Sequence, residues 1–225
     1  MTENQKNKNS KIKIGLINFT NCLPVNYTFE KLQPENIEFL YGNPVQLNKL
    51  MSEGKIDIAP VSSFEYLKNK HKYTLIEKAC ISSDGECGSV ILFCKKEFHK
   101  LNNGKIAIPN DSASSSAMLK ILLNENDINL RSITFTMHDY YKNPCQFLDS
   151  GFDAVLFIGD NALKANCEFD KPFFTYDIGK LWKNLTGYPA VFGIWVVRNN
   201  QLIDEKINNL IPKVIETGFK MYFNE

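Results

Sequence analysis

Five turns of this chain place small polar side chains directly after apolar runs. They are Asn18-Phe19-Thr20-Asn21-Cys22-Leu23-Pro24, Pro60-Val61-Ser62-Ser63-Phe64-Glu65-Tyr66, Ser82-Ser83-Asp84-Gly85, Asn110-Asp111-Ser112-Ala113-Ser114-Ser115-Ser116 and Ile158-Gly159-Asp160. Each apolar run reads as a buried strand. All but Ser82-Ser83-Asp84-Gly85 lead into a helical pattern. In an open α/β sheet, ligands bind beyond the carboxyl ends of the strands. Hydroxyl and amide groups gathered at such an edge suggest a polar cleft for a small molecule.

The serines Ser112, Ser114, Ser115 and Ser116 give the clearest of these signals. A helix start needs one capping hydroxyl, and here four serines lie within five residues. N–H groups at a helix N-terminus, with hydroxyls beside them, form a carboxylate or phosphate site. Anion binding is the expected role, with plain capping as the alternative. Ser62 and Ser63 repeat the layout between a strand and a helix, and there capping and ligand contact both stay open. Gly159 lets backbone approach a ligand closely, while Asp160 also suits the positive end of a helix. Asn21 can donate and accept, although an Asn in a turn also has structural uses. Ser89 follows Gly85 and Gly88 and opens an apolar strand, where turn chemistry alone also accounts for it. The sequence contains no suggested Ser-His-Asp or Cys-His grouping, no P-loop and no metal signature.

Alternating strand and helix patterns supply the scaffold for these turns. Strands are expected at 13–17, 37–41 and 56–61, with helices at 24–31, 44–53 and 63–69. Pro24 suits a first helical turn, and Gly54 is placed to cap a helix end. This alternation is the pattern of a parallel sheet. The runs 73–81 and 89–94 have no helix between them and read as strands leaving this unit. After Lys95 the pattern restarts, with strands at 105–108, 133–137, 154–158 and 173–176. Helices are expected at 114–123, near 144–149, at 160–165, and around Trp182, ending near Leu185. A last strand at 190–197 and helix at 203–222 exceed what the second unit needs and are expected to complete the first. The expected lobes are residues 11–93 with 188–225, and 94–187, preceded by a frayed 1–10. Crossing strands would act as a hinge, and the strand-end turns of both lobes would face one cleft.

Composition narrows the function classes. A chain of 225 residues holds one large domain or two small lobes. Its net charge of +1 gives no reason to expect nucleic acid or an anionic membrane as partner. The only arginines are Arg131 and Arg198, so a bidentate clamp on an anion is available at two positions at most. The six cysteines form no C-x-x-C pair and read as buried, reduced thiols of a cytosolic protein. His71, His99 and His138 lack metal-ligand spacing and are expected on surface loops. Residues 1–13 are polar, without the apolar stretch of a signal peptide. No run approaches the length of a membrane span. The expected location is the cytoplasm.

With those turns in view, the chain resembles the chorismate dehydratases of the futalosine route to menaquinone. The resemblance is carried by Ile14-Gly15-Leu16-Ile17-Asn18-Phe19-Thr20-Asn21-Cys22-Leu23-Pro24, by Gly54 through Tyr66, and by Ile81-Ser82-Ser83-Asp84-Gly85 through Ser89-Val90. It continues in Leu156-Phe157-Ile158-Gly159-Asp160-Asn161-Ala162-Leu163, in Tyr176-Asp177-Ile178-Gly179-Lys180-Leu181-Trp182-Lys183, and in Leu185 through Trp195. These stretches fall in the family's order from about residue 13 to residue 198. Thr20, Phe157 and Cys87 depart from the residues more usual there, without removing a motif.

The resemblance implies an α/β, two-lobed periplasmic-binding-protein type II-like fold with a ligand cleft between the lobes. It implies catalytic roles for Asn21 and Ser89, and substrate-binding roles for Ser112, Ser114, Ser115, Ser116, Gly159 and Asp160. Ser62 and Ser63, at the other serine-rich helix start, suit the second carboxylate of a dianionic substrate. The implied reaction is loss of water from chorismate, giving 3-[(1-carboxyvinyl)oxy]benzoate, with neither cofactor nor metal. The implied partner is that small molecule alone; the sequence leaves the oligomeric state open. The substrate's enolpyruvyl carboxylate would take the ring proton, in keeping with the lack of a histidine at the motif turns. Two rival readings share the fold: a non-catalytic cytoplasmic binder of small anions, and the related enzyme of the same pathway that forms dihydroxynaphthoate.

Overall fold

The structure, a computed structural model, describes residues 11–139, 143–168, 173–199 and 205–224. The expected frayed start, 1–10, lies outside them. The described residues fall into two compact units: those within 11–61, 66–79 and 194–224 group as one, those within 62–65 and 80–193 as the other.

The first unit is built from β1 (Ile12–Ile17), α1 (Leu23–Leu32), β2 (Ile37–Gly42), α2 (Pro44–Ser52) and β3 (Ile58–Ser62). After α3 (Ser63–Asn69) the chain enters β4 (Tyr73–Ser83), and it returns late through β10 (Ala190–Arg198) and α8 (Glu205–Asn224). The sheet order is β2-β1-β3-β10-β4. β1 pairs parallel with both β2 and β3, with Ile14 opposite Phe39 and Ile58. Asn43 opens α2 with a capping box, its side chain accepting from Gln46 N while Gln46 returns a bond to Asn43 N. Ile14, Leu16, Phe29, Ile58, Trp195, Ile211 and Val214 share one core. Burial of such side chains stabilises the unit by about 1.5–3 kcal/mol each. α8 lies tightly on α1: a Cβ added at Gly218 would meet the Pro24 carbonyl oxygen at 2.5 Å.

The second unit contains β5 (Val90–Cys94), β6 (Lys105–Pro109), α4 (Ala113–Glu125), β7 (Thr134–His138) and α5 (Pro144–Asp149). It continues with β8 (Ala154–Ile158), α6 (Gly159–Glu168), β9 (Phe174–Asp177) and α7 (Ile178–Thr186). The sheet order is β7-β6-β8-β5-β9. β6 runs parallel to β7 and β8, whereas β5 runs antiparallel to β8 and β9. Every residue of β5 and β8 is buried, as expected for strands covered on both faces. Phe93, Ala107, Phe147, Val155 and Phe157 form the core.

The division differs from the expected one at its edges. Residues 80–93 and 188–193 group with the second unit, and the boundary falls inside β4 and β10. β5 fills a sheet position between β8 and β9 that its two apolar faces require. Among the described helices, none is long and apolar enough to cross a membrane.

Candidate functional site

The serine-rich turns do several different jobs. Ser112 is the N-cap of α4, and its side chain accepts from Ser115 N at 3.4 Å. Ser114 and Ser115 lie in the first turn and are 4% and 2% exposed. Ser62 ends β3, and its hydroxyl accepts from Glu65 N at 3.0 Å, capping α3. Ser63 donates to the Val191 carbonyl at 2.7 Å and lies 2.9 Å from Ser114 Oγ. Phe64 N–H reaches Ser114 Oγ at 3.3 Å. A hydroxyl carries one proton, and that of Ser63 goes to Val191. Ser114 therefore donates to Ser63, and a directed chain runs Phe64 N–H to Ser114 to Ser63 to Val191. The structure thus brings Ser62, Ser63 and Ser114 together, from turns about fifty residues apart. Ser116 differs from the rest: its Oγ is buried with no hydrogen-bond partner.

Ser89 stands between Gly88 and the first residue of β5. Its carbonyl accepts from Gly159 N at 2.7 Å, which joins it to the start of α6. Gly159 has φ +55, a left-handed conformation that favours glycine. Asp160 follows in the first turn of α6, where its charge suits the helix dipole. Asp177, at the end of β9, is 8% exposed. Its Oδ2 accepts from Cys87 N at 3.1 Å and from Gly88 N at 2.7 Å. Its Oδ1 accepts from Lys180 N at 2.9 Å and so caps α7.

Asn21 belongs to the first unit. It sits on a single tight turn, Thr20–Cys22, between β1 and α1, with its side chain exposed. The turn is held below it: Cys22 N bonds to the Phe19 carbonyl at 2.9 Å. Buried Asn26 donates to the Ile17 carbonyl at 3.0 Å, tying α1 to the end of β1. The amide of Asn21 thus stands on a turn whose two flanks are hydrogen-bonded.

With this arrangement known, the comparisons with other proteins are decisive for kinship. Residues 12–218 match the family described as menaquinone biosynthesis. The chain belongs to this menaquinone-biosynthesis family. The chain is also similar to the chorismate dehydratase of Thermus thermophilus, 29% identical over 199 residues, covering 82% of this chain and 69% of that protein. Among solved structures, protein AF1704 from Archaeoglobus fulgidus matches with a TM-score of 0.73 at 15% identity, covering 95% of this chain and 78% of that one. The periplasmic aliphatic sulphonate binding protein SsuA from Escherichia coli matches with a TM-score of 0.65 at 14% identity, covering 93% and 71%. At such low identity these likenesses speak for the fold alone. It is the periplasmic-binding-protein type II fold, of the α/β class expected from the sequence.

In this family member, two expectations about ionisable groups need correction. His138 is not on a surface loop. It ends β7, is 3% exposed, and packs against Phe147 and Phe157. Its Nε2 lies 2.9 Å from the Leu156 carbonyl, which can only accept, so Nε2 carries a proton. Burial holds its pKa below the ordinary imidazole value, against the opposing pull of Asp111 and Asp139. Among the cysteines whose side chains are described, burial is not uniform: Cys94 and Cys145 are buried, Cys22 and Cys87 are half-buried, and Cys80 is exposed on β4. Burial, then the nearby Asp177 carboxylate, push the Cys87 thiol up, so it stays protonated and lies 3.5 Å from both Asp177 oxygens. In the sequence Asp177 stands out only as part of the Tyr176–Lys183 stretch that carries the resemblance; its hold on the turn before Ser89 spans about ninety residues.

Proposed function

We propose that this chain eliminates water from chorismate, giving 3-[(1-carboxyvinyl)oxy]benzoate in menaquinone biosynthesis. The observation that carries this reading is the family match over residues 12–218, joined to 29% identity with a chorismate dehydratase across most of the chain. The enzyme is then a hydro-lyase acting on a small dianion.

In the reaction, the ring C–OH bond and the C–H bond of the neighbouring carbon break. The hydroxyl and proton leave as water, and the C–H electron pair completes the aromatic ring. Aromatisation drives the step, so the protein's task is to hold the groups in line and assist the departing hydroxyl. The exposed amide of Asn21 suits contact with that hydroxyl. Ser89, fixed through its own carbonyl and the preceding peptides, orients the ring. The start of α4 takes a substrate carboxylate, and the partnerless hydroxyl of Ser116 supports a polar ligand there. Gly159 and Asp160 line the same end of the second sheet as Ser89. Ser62 acts from the other serine-rich turn, and Ser63 acts on the ligand only through its bond to Ser114.

The proton acceptor in this reading is the substrate's enolpyruvyl carboxylate. A protein base contributes about 10²–10⁴-fold, so single amide replacements of Glu65, Asp84, Glu86, Asp111 and Asp160 should each cost less than that in single-turnover chemistry. The primary test is incubation of purified protein with chorismate, following loss of its absorbance and identifying the product by mass. Stoichiometric formation of the carboxyvinyloxy benzoate is expected. Tight binding of chorismate without turnover would replace the dehydratase reading with that of a binding protein.

A further inference from the structure

Ser89 is preceded by a stretch with little conformational preference of its own. Gly85 has φ +109 and Gly88 has φ +68. Glycines in such conformations lose more freedom on folding than any other residue, so an external hold is needed to give Ser89 one direction. Asp177 supplies it. Its Oδ2 accepts both N–H groups of the two residues before Ser89, Cys87 at 3.1 Å and Gly88 at 2.7 Å. The carboxylate is itself immobile. It ends β9, stands in register with Ile91 of β5, and its other oxygen accepts Lys180 N at the start of α7. α7 presses on the same stretch: a Cβ at Gly179 would lie 2.5 Å from the Gly85 carbonyl oxygen and 2.6 Å from Ser83 Oγ. Two outer ion pairs, Lys183 with Asp84 at 2.6 Å and Lys180 with Glu86 at 3.4 Å, follow the same line. From the other side, Gly159 N holds the Ser89 carbonyl.

We infer that Asp177 is the positioning residue for Ser89, setting the direction of its side chain through the Cys87 and Gly88 peptides; the inference rests on the dehydratase reading above. A carboxylate suits this task because both oxygens accept. An asparagine offers one accepting oxygen and one donating nitrogen. In Asp177→Asn that nitrogen faces either the paired Cys87 and Gly88 N–H groups or Lys180 N. Asn caps a helix as well as Asp does, so α7 keeps its start when the oxygen faces Lys180, and the loop loses its acceptor.

The test combines turnover with a readout of the loop. Asp177→Asn is expected to lower kcat about tenfold or more and to leave KM within about threefold, because the α4 serines are untouched. In a Ser89→Ala background the same change is expected to cost less than about twofold, since there is no longer a side chain to aim. Amide exchange at Cys87 and Gly88 is expected to accelerate about tenfold or more relative to β5. An equal loss of kcat in both backgrounds overturns the inference, because a merely structural defect is additive. Unchanged exchange, or unchanged kcat, also overturns it. Should Asp177→Asn not fold, Gly179→Ala displaces the same stretch and crowds Asp177 Oδ1 at 3.2 Å while keeping the carboxylate's charge; the same Ser89-dependent fall in kcat is expected, and full activity overturns the inference. A wild-type protein that leaves chorismate unchanged defeats the dehydratase reading and this assignment with it. An active wild type with a fully active, correctly folded Asp177→Asn defeats the assignment alone.

Discussion

The directed chain from Phe64 N–H through Ser114 and Ser63 to the Val191 carbonyl makes an opposed pair of predictions. Both serine protons are committed inside the protein. For Ser114 to donate to a substrate carboxylate, its bond to Ser63 must be given up. Ser114→Ala removes the donor and leaves Phe64 N–H without its acceptor. A hydrogen bond to a charged group is worth about 1.5–3 kcal/mol, and the neutral bond to Ser63 given up for it about 0.5–1.5 kcal/mol. The net loss is about 0–2.5 kcal/mol, so the dissociation constant of the benzoate product should rise by up to roughly 70-fold. Ser63→Ala does the reverse. It frees the Ser114 proton at no cost in ligand contacts, and a neutral bond not broken on binding is worth about 0.5–1.5 kcal/mol. The product should bind roughly 2- to 10-fold more tightly. Stability should fall in both variants by about 1–2 kcal/mol, with a coupling of about 0.5–1.5 kcal/mol in the double variant because they share a bond. Calorimetric titration with product gives the first quantity and urea unfolding the second. Dissociation constants that move the same way in both single variants, or that stay fixed while stability drops, would refute a ligand role for Ser114 and leave it a clip between α3 and α4.

Three further outcomes are expected. Asn21→Ala should leave unfolding free energy within about 0.5 kcal/mol, as for other exposed side chains, while the rate of chorismate consumption collapses; a lowered Tm with near-normal turnover would make Asn21 structural. His138 has a folded-state pKa depressed by burial, so as pH falls below about 6.5 the unfolded chain takes up the proton first and stability declines, by at most about 1.4 kcal/mol per pH unit. Unfolding at stepped pH should show this slope in the wild type and its loss in His138→Gln. Gly218→Ala forces a Cβ to within 2.5 Å of the Pro24 carbonyl and 2.9 Å of Thr28 Oγ1, and overpacking of this kind costs about 1–3 kcal/mol. In a chain of this size each kcal/mol lowers Tm by roughly 2–4 °C, which a calorimetric scan resolves.

Much of the scaffold is legible because covered strands announce themselves. Ala154–Ile158 and Val90–Cys94 are unbroken apolar runs, and both are fully buried. Their sheet is another matter. A five-residue run names no partner, so β5 reads with the preceding unit, although its neighbours β8 and β9 lie far ahead in the chain. His138 misled for a similar reason. β7 has an otherwise largely exposed pattern, and only its last residue turns into the core, against phenylalanines from α5 and β8. The candidate site was legible by position and not by role. Ser112, Ser114 and Ser116 look alike in sequence, yet one caps, one donates a hydrogen bond to Ser63, and one has no partner. Those differences come from groups on other turns, and no local spacing encodes them.

The surroundings of Ser89 explain how a carboxylate can stand near the proposed site of a dianionic substrate without doing its chemistry. Asp177 accepts three backbone N–H groups, so both of its oxygens are already engaged in holding the turn and the start of α7. The Cys87 thiol, pushed up by burial and by that same charge, is no thiolate near neutral pH. Asp84 and Glu86 are largely exposed and engaged with Lys183 and Lys180. The turn before Ser89 is therefore equipped to hold a direction and poorly equipped to abstract a proton. That division fits a reaction in which the protein fixes geometry and the substrate supplies its own base. It also predicts where sequence change is tolerated: the outer pairs of α7 contribute about 0–1 kcal/mol each and can be lost, whereas the single carboxylate of Asp177 binds two elements at once and has no substitute.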